Sequence, residues 1–244
     1  MILAEGAGPI IGTAIHDGHE LRVECAAALA LDDATRLREE DPYTARVAKV
    51  APTHLIATRS RFEVDLNRPR DRAVYLTPDD AWGLKVWRQP PDSAMVASSL
   101  AGYDAFYATL ERLLRARERF VVLDIHSYNH RRDGRTADPE ANPEINLGTA
   151  WLDRARWGGL IDRFTRDLVA ASPSDHRLDV RENVKFKGGE MNQWIHRTFE
   201  HGCCLSIELK KTFMDETTGE LDEAHLAELA RAIEAALPGL AASL

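Results

Sequence analysis

Two short segments place imidazoles where metal chemistry needs them. His16-Asp17-Gly18-His19 sets two histidines three residues apart, directly after the apolar run Pro9 to Ile15. Asp124-Ile125-His126-Ser127 closes a second apolar run. Hydrolytic zinc takes three protein ligands and leaves one position for water. His16, His19 and His126 fit that count. Residues two apart on a strand share a face, so Asp124 stands beside His126 and can orient its ring. Any one of these histidines alone reads as well as a hydrogen-bonded loop residue; the repetition at two strand ends is what points to a metal. Glu39-Glu40-Asp41-Pro42 offers a further carboxylate, although Asp-Pro also initiates turns. His130 is a candidate pocket residue, and the other histidines lack a comparable neighbourhood.

A second kind of chemistry is concentrated between residues 59 and 70, where Arg59, Arg61, Arg68 and Arg70 fall within twelve positions. A guanidinium is a rigid planar fork that grips carboxylates through two parallel hydrogen bonds. Alternation through Arg61, Glu63, Asp65 and Asn67 suits one polar face of a strand. The segment reads either as an anion-binding wall, with Asp65 holding one guanidinium in place, or as a solvated edge strand with self-compensating charges.

The elements that must carry these groups alternate between strand and helix. Strands are expected at Pro9–Ile15, His54–Thr58, Phe120–Ile125 and Cys203–Leu209, with a further segment at Phe62–Leu66. Helices are expected at Glu24–Arg38, Ala101–Glu118, Trp151–Ala171 and Glu223–Leu237, from apolar residues at helical spacing. Alternation of this kind builds an α/β sheet covered on both faces, and such sheets gather their functional groups past the C-terminal ends of strands. The 244 residues suit one domain, 1–244, with no linker or repeat to divide it. Thirty-one basic against 39 acidic residues give a net charge of −8, which argues against a nucleic-acid or anionic-membrane surface but permits a local basic pocket. No stretch approaches the length of a membrane span, and no basic leader precedes a hydrophobic run. Cys25, Cys203 and Cys204 cannot build a disulfide framework, so a reducing, cytoplasmic setting is expected.

Four motifs in order carry a family resemblance. Arg59-Ser60-Arg61-Phe62-Glu63-Val64-Asp65-Leu66-Asn67-Arg68-Pro69 resembles the arginine and Asp-Leu-Asn-Arg-Pro signature of the N-formylglutamate amidohydrolase family. Asp124-Ile125-His126-Ser127-Tyr128 resembles its strand-end His-Ser motif. Phe186-Lys187-Gly188-Gly189 and Leu205-Ser206-Ile207-Glu208 resemble its Gly-Gly loop and glutamate strand. The likeness runs from about Ile10 to Glu216. It implies a fold similar to zinc carboxypeptidases, a three-layer α/β arrangement with a mixed central sheet, and one zinc ion per chain. It implies His16 and His126 as ligands, Arg61 as the oxyanion group, Asn67 and Arg68 as the carboxylate clamp, and Glu208 as the base. Where the carboxypeptidase relatives carry Glu, this sequence has His19. His19 is therefore the expected remaining ligand, with Asp41, which matches an acidic family position, as the alternative. The first motif also departs from the family's Pro-His-Ser-Gly, reading Ile15-His16-Asp17-Gly18.

The reaction so implied is hydrolysis of an N-acyl amino acid, N-formyl-L-glutamate foremost, by an enzyme whose expected partner is a small carboxylate-bearing substrate and neither nucleic acid nor membrane. Two other readings stand beside it: a dinuclear metallophosphoesterase built on Asp124-Ile125-His126, and a catalytically silent carboxylate-binding protein on the same fold. Asn129-His130-Arg131-Arg132-Asp133 is a candidate pocket wall or a solvated basic loop. Gly188 and Gly189 read as a turn or as a site of close backbone approach. Trp82, Trp87, Trp151, Trp157 and Trp194 are expected to be packing anchors.

Overall fold

The computed structural model describes residues 1–131 and 138–244; Arg132 and Asp133 of the candidate pocket wall lie outside the described residues. Seven strands form one mixed sheet: β1 (Ile2–Ala4), β2 (Ile10–Ala14), β3 (Thr53–Ile56), β4 (Phe120–Tyr128), β5 (Ile145–Gly148), β6 (Val180–Glu182) and β7 (Gly202–Lys210). Their order is β1-β3-β2-β4-β7-β5-β6. The central strands β3, β2, β4 and β7 run parallel, while β1 and β5 are antiparallel to their inner neighbours and β6 is parallel to β5. Seven α-helices accompany the sheet among the described residues: α1 (Val23–Ala28), α2 (Asp33–Glu39), α3 (Thr44–Ala48), α4 (Ser93–Arg115), α5 (Arg154–Ala170), α6 (Glu190–Thr198) and α7 (Glu223–Ala241).

The strand period decides which layer each side chain joins. Val121, Leu123 and Ile125 of β4 and Cys203, Leu205, Ile207 and Leu209 of β7 pack against α3, α5 and α7. Phe120 and Val122 of β4 and Cys204 of β7 face the opposite way, onto α4 and α6. Two helical layers thus enclose the sheet, the three-layer α/β arrangement implied above. Each fully buried side chain of this size contributes about 1.5–3 kcal/mol, so the long strands β4 and β7 anchor the fold. The first face is apolar along β7 to Leu209 and along β4 as far as Ile125, where Ser127 follows. The second turns polar halfway along, at Asp124 and His126 on β4 and at Ser206 and Glu208 on β7. Parallel register sets Asp124 beside Ser206 and His126 beside Glu208.

Three expectations from sequence are corrected. The helix foreseen over Glu24–Arg38 is broken into α1 and α2, because Leu29 leaves α1 extended to bridge Trp87 and Asp32 restarts a helix by accepting from the Thr35 backbone N–H. Phe62–Leu66 is a chain of turns, closed by Glu63 and Val64 N–H groups on the Ser60 carbonyl, and not a strand. Glu63 and Asp65 therefore do not share one face: Glu63 turns outward from the site to bind Arg22. Beneath this loop Phe62, Tyr75, Ala81, Val86 and Trp87 form a small separate core with Cys25 and Leu29. Strands β1, β5 and β6 and helix α6 were not foreseen; the three strands are only three or four residues long and give no sustained alternation. Among the described residues no helix is long and apolar enough to cross a membrane.

Candidate active site

His16 follows β2 by two residues, His126 lies near the C-terminal end of β4, and Asp41 follows α2. The Asp41 N–H donates to the His16 carbonyl at 2.9 Å, so the backbone itself draws these two residues together. Each histidine has one nitrogen occupied by a buried carboxylate. His16 Nε2 is 2.7 Å from Asp65 Oδ1, and His126 Nε2 is 2.9 Å from Asp124 Oδ2. Asp124 is itself fixed by the Thr13 hydroxyl at 3.1 Å. The two remaining Nδ1 atoms converge on Asp41 Oδ2, at 3.4 Å from His16 and 3.0 Å from His126. One ligand atom from each of His16, Asp41 and His126 lies within 4.8 Å of the others, and this is the one such group among the described residues. Orientation of ligand imidazoles by carboxylates on the opposite nitrogen is how metal sites fix tautomer and aim. The donor set, two imidazoles and one carboxylate, suits zinc and other borderline divalent cations.

His19 stands apart from this group, which corrects the preferred third ligand. Its Nδ1 lies 2.5 Å from Glu40 Oε2 and its Nε2 2.9 Å from Arg36, on a side chain 40% exposed. Both ring nitrogens serve to hold the segment that carries Asp41. Gly18 lets the loop pack directly on the neighbouring backbone: a Cβ there would sit 2.4 Å from the Thr58 carbonyl carbon. Asp17, which replaces the family's Ser, accepts from the Ala45 N–H and supports the start of α3. Burial raises its pKa above the usual carboxylate range.

The arginine segment divides in two. Arg61 donates to Asp65 Oδ2 at 2.8 Å and reaches toward the Tyr75 hydroxyl at 3.4 Å. Arg68 approaches the same Asp65 oxygen at 3.9 Å and donates to the Asp80 carbonyl at 3.3 Å. Arg59 and Arg70 do not reach the site. Arg59 is exposed and joins Glu20 by a backbone bridge, while Arg70 pairs with Asp104 on the surface. Asn67 is held through its own N–H on Asp65 and through its side-chain oxygen, which accepts from the Met191 N–H. Gly189 permits this approach, since a Cβ there would fall 2.3 Å from the Asn67 oxygen.

These groups line one cavity of about 300 Å³, together with Glu208, Trp82, Lys185 and Lys211. Its electrostatics are graded. Burial opposes ionisation of Asp41, but hydrogen bonds from His126 and His16 outweigh it and hold Asp41 well below the usual carboxylate range. Asp65 is likewise held low by Arg61 and His16 against its burial. Glu208 has no such hydrogen-bond partner among the described residues: burial pushes its carboxyl up to about 8, with Asp41 and Asp124 adding to the effect and His126 and Arg61 opposing it. A carboxyl with that pKa, beside carboxylates held charged, is what proton transfer near neutrality requires.

Sequence reasoning missed Tyr75, Trp82 and Lys211. Lys211 is 1% exposed and donates through Nζ to the carbonyls of Arg38 and Glu40, both at 2.7 Å, so it ties the end of β7 to the Asp41 segment. Burial draws its pKa down to about 8, against the pull of Asp41 and Glu39. Its position three residues after Glu208 was the available signal. Trp82 was assigned to packing, yet it is half-exposed and lines the cavity.

The crystal structure of N-formylglutamate amidohydrolase from Ralstonia eutropha JMP134 is similar over 99% of this chain and 95% of its own, with TM-score 0.76 and 19% identity. A gene product of Agrobacterium tumefaciens is similar over 97% of this chain and 92% of its own, with TM-score 0.66 and 18% identity. At these identities the likeness speaks for the fold. No curated protein sequence matches the chain. The family model described as N-formylglutamate amidohydrolase matches residues 8–214, which includes every motif assembled in the cavity. The chain therefore belongs to the N-formylglutamate amidohydrolase family and is a hydrolase acting on an amide.

Proposed function

We propose that this protein is a zinc-dependent enzyme that hydrolyses N-acyl amino acids, N-formyl-L-glutamate foremost, to the carboxylic acid and the free amino acid. The observation that carries the proposal is the convergence of His16 Nδ1, His126 Nδ1 and Asp41 on one point, in the same cavity as Glu208 and two arginines. His16, Asp41 and His126 hold one zinc ion, and Asp65 and Asp124 orient the two rings. The chemistry that zinc supplies in such a set is polarisation of the amide carbonyl and a lowered pKa for water.

Glu208 acts as the base, accepting a proton from the attacking water and passing it to the departing amine nitrogen. Arg61 donates to the oxygen of the tetrahedral species, its fork held by Asp65. Asn67 and Arg68 receive a substrate carboxylate and so fix the amide relative to Glu208. Hydrolysis then consumes one water and releases formate and glutamate from N-formylglutamate. The whole chain acts as one domain, and the buried free thiols of Cys25, Cys203 and Cys204 support a cytoplasmic setting. The dinuclear phosphoesterase reading asks for a second cluster of ligands, and the described residues contain a single group.

The test is to measure zinc content and formate release from N-formylglutamate on one preparation. About one zinc per chain with formate released in proportion to glutamate is the expected result. Bound zinc without formate release would reject this substrate, and two metals with phosphodiester turnover would reject the reaction.

A further inference from the structure

Trp82 takes no part in the chemistry described so far, yet its backbone, its contacts and its exposure all bear on the cavity. It adopts φ 54° and ψ 31°, the left-handed conformation that bulky residues rarely occupy. The turn around it is built to hold that conformation. Asp80 Oδ2 accepts from the Thr77 N–H and hydroxyl, both at 2.9 Å, and the Gly83 N–H closes on the Pro78 carbonyl at 2.7 Å. Ala81 beside it is buried in the small core with Tyr75 and Trp87. The indole so presented is 50% exposed and lines the cavity.

What the ring covers is specific. The Arg61 guanidinium carbon lies 4.9 Å from its centroid and that of Arg68 6.0 Å. Both arginines also approach the single oxygen Asp65 Oδ2, so one carboxylate faces two cations and a positive charge remains. Two guanidiniums this close repel one another, and an aromatic face offsets that repulsion without using their N–H donors, which lie in the guanidinium plane. Tyr75 fixes the tilt of the indole, edge to face at 6.0 Å, and donates its own hydroxyl to Asp65.

We propose that Trp82 is a positioning residue that determines specificity: its ring holds the Arg68 guanidinium of the carboxylate clamp in place beside Arg61, so the cavity selects small aliphatic carboxylates over their neutral analogues. The inference rests on the arginine roles given above, and its test does not depend on turnover. Glutarate, which has carboxylates but no amide, is titrated into the metal-free protein by calorimetry, with dimethyl glutarate as the uncharged control. Trp82→Asn removes the ring while tolerating the left-handed backbone, and Trp82→Phe keeps an aromatic face. Thermal melts establish that both variants fold.

Trp82→Asn is expected to weaken glutarate binding by about 3–30-fold, the range of a partly desolvated cation–aromatic contact, and to leave the ester unchanged. Trp82→Phe should recover most of the loss. In the zinc-loaded enzyme KM should rise through Arg68 and kcat should fall through Arg61, whose guanidinium the ring also covers. Equal glutarate affinity in wild type and Trp82→Asn overturns the inference, as does equal weakening of acid and ester, or a wild type that binds no glutarate. Failure of the zinc-loaded wild type to release formate from N-formylglutamate overturns the proposed substrate instead, and leaves the glutarate comparison to decide the role of Trp82.

Discussion

Two cavities share Lys211 as a wall. The smaller, about 300 Å³, holds the His16, Asp41 and His126 group; the larger, about 750 Å³, is bounded by His130, Arg131, Glu216 and the acidic start of α7. Each contains a buried histidine beside a buried carboxylate. In the smaller cavity both imidazoles have a carboxylate on one nitrogen and a common target for the other. In the larger, His130 Nε2 stands 3.6 Å from Glu216, and its buried Nδ1 has no hydrogen-bond partner among the described residues. Glu216 instead accepts the backbone N–H groups of His130 and Arg131. Burial lowers the pKa of His130, with Glu216 opposing. The same residue types thus organise a chain segment in one place and a convergent donor set in the other. Convergence, and not volume, marks the site.

The sharpest way to break this distinction is at the metal. Asp41→Ala should lower zinc affinity by more than the about 10–100-fold expected when an outer partner such as Asp65 or Asp124 becomes Asn. His130→Ala should leave it near wild type, and His19→Ala should lower it only as far as the Asp41 segment loosens. Equilibrium dialysis reads all of these, and a loss at His130 equal to that at Asp41 would erase the contrast.

Glu208→Gln comes next, with an expected fall in turnover of about 10²–10⁴ and zinc retained. Because Glu208 must lose its proton to act, kcat/KM of the wild type should rise with pH along a limb below 8, a bound dication shifting the limb downward. The same residue has a stability signature. Its folded pKa of about 8 exceeds the ordinary value of 4.5, so its contribution is fully present below pH 4.5 and lost as pH rises through 8. In metal-free protein Glu208→Gln should therefore be stabilising by about 2–4 kcal/mol at pH 8 and neutral near pH 4. A melting curve unmoved at pH 8 would remove the buried carboxyl from the account.

Smaller effects sharpen the comparison at the shared wall. Lys211→Met breaks two hydrogen bonds from a charged donor and should cost about 2–4 kcal/mol in stability, with weaker zinc binding because the Asp41 segment loosens. Glu216→Gln should cost about 1 kcal/mol and leave kcat unchanged, the mark of a residue that only fastens chain. Denaturant titration paired with turnover separates the two.

Much of the site could be read in the sequence where the polar residues sit in a strand. The two-residue step from Asp124 to His126 gives their shared face directly, and β7 repeats it from Ser206 to Glu208. What could not be read was the course of the loops. His16 and His19 are three apart, but only His16 joins the donor group, and the third member comes from Asp41 through a backbone bond to His16. Likewise Arg59 and Arg61 differ by two positions and diverge because the segment is a run of turns. Trp82 gave no signal of spacing, and Lys211 only its place three residues after Glu208, since each depends on a contact made across the fold.

The polarity switch along one face of β4 and β7 has a consequence for quality control of this enzyme. Side chains alternate strictly, so sliding β7 by one residue against β4 would drive Glu208 into the apolar layer of α5 and α7 and turn Ile207 toward the histidines. A chain mispaired by one residue at this junction would not keep Glu208 in the cavity. Under the proposed mechanism, turnover per bound metal is therefore also a readout of strand alignment at the centre of the sheet, obtainable on dilute samples where a spectroscopic measure of the fold would report only that strands are present.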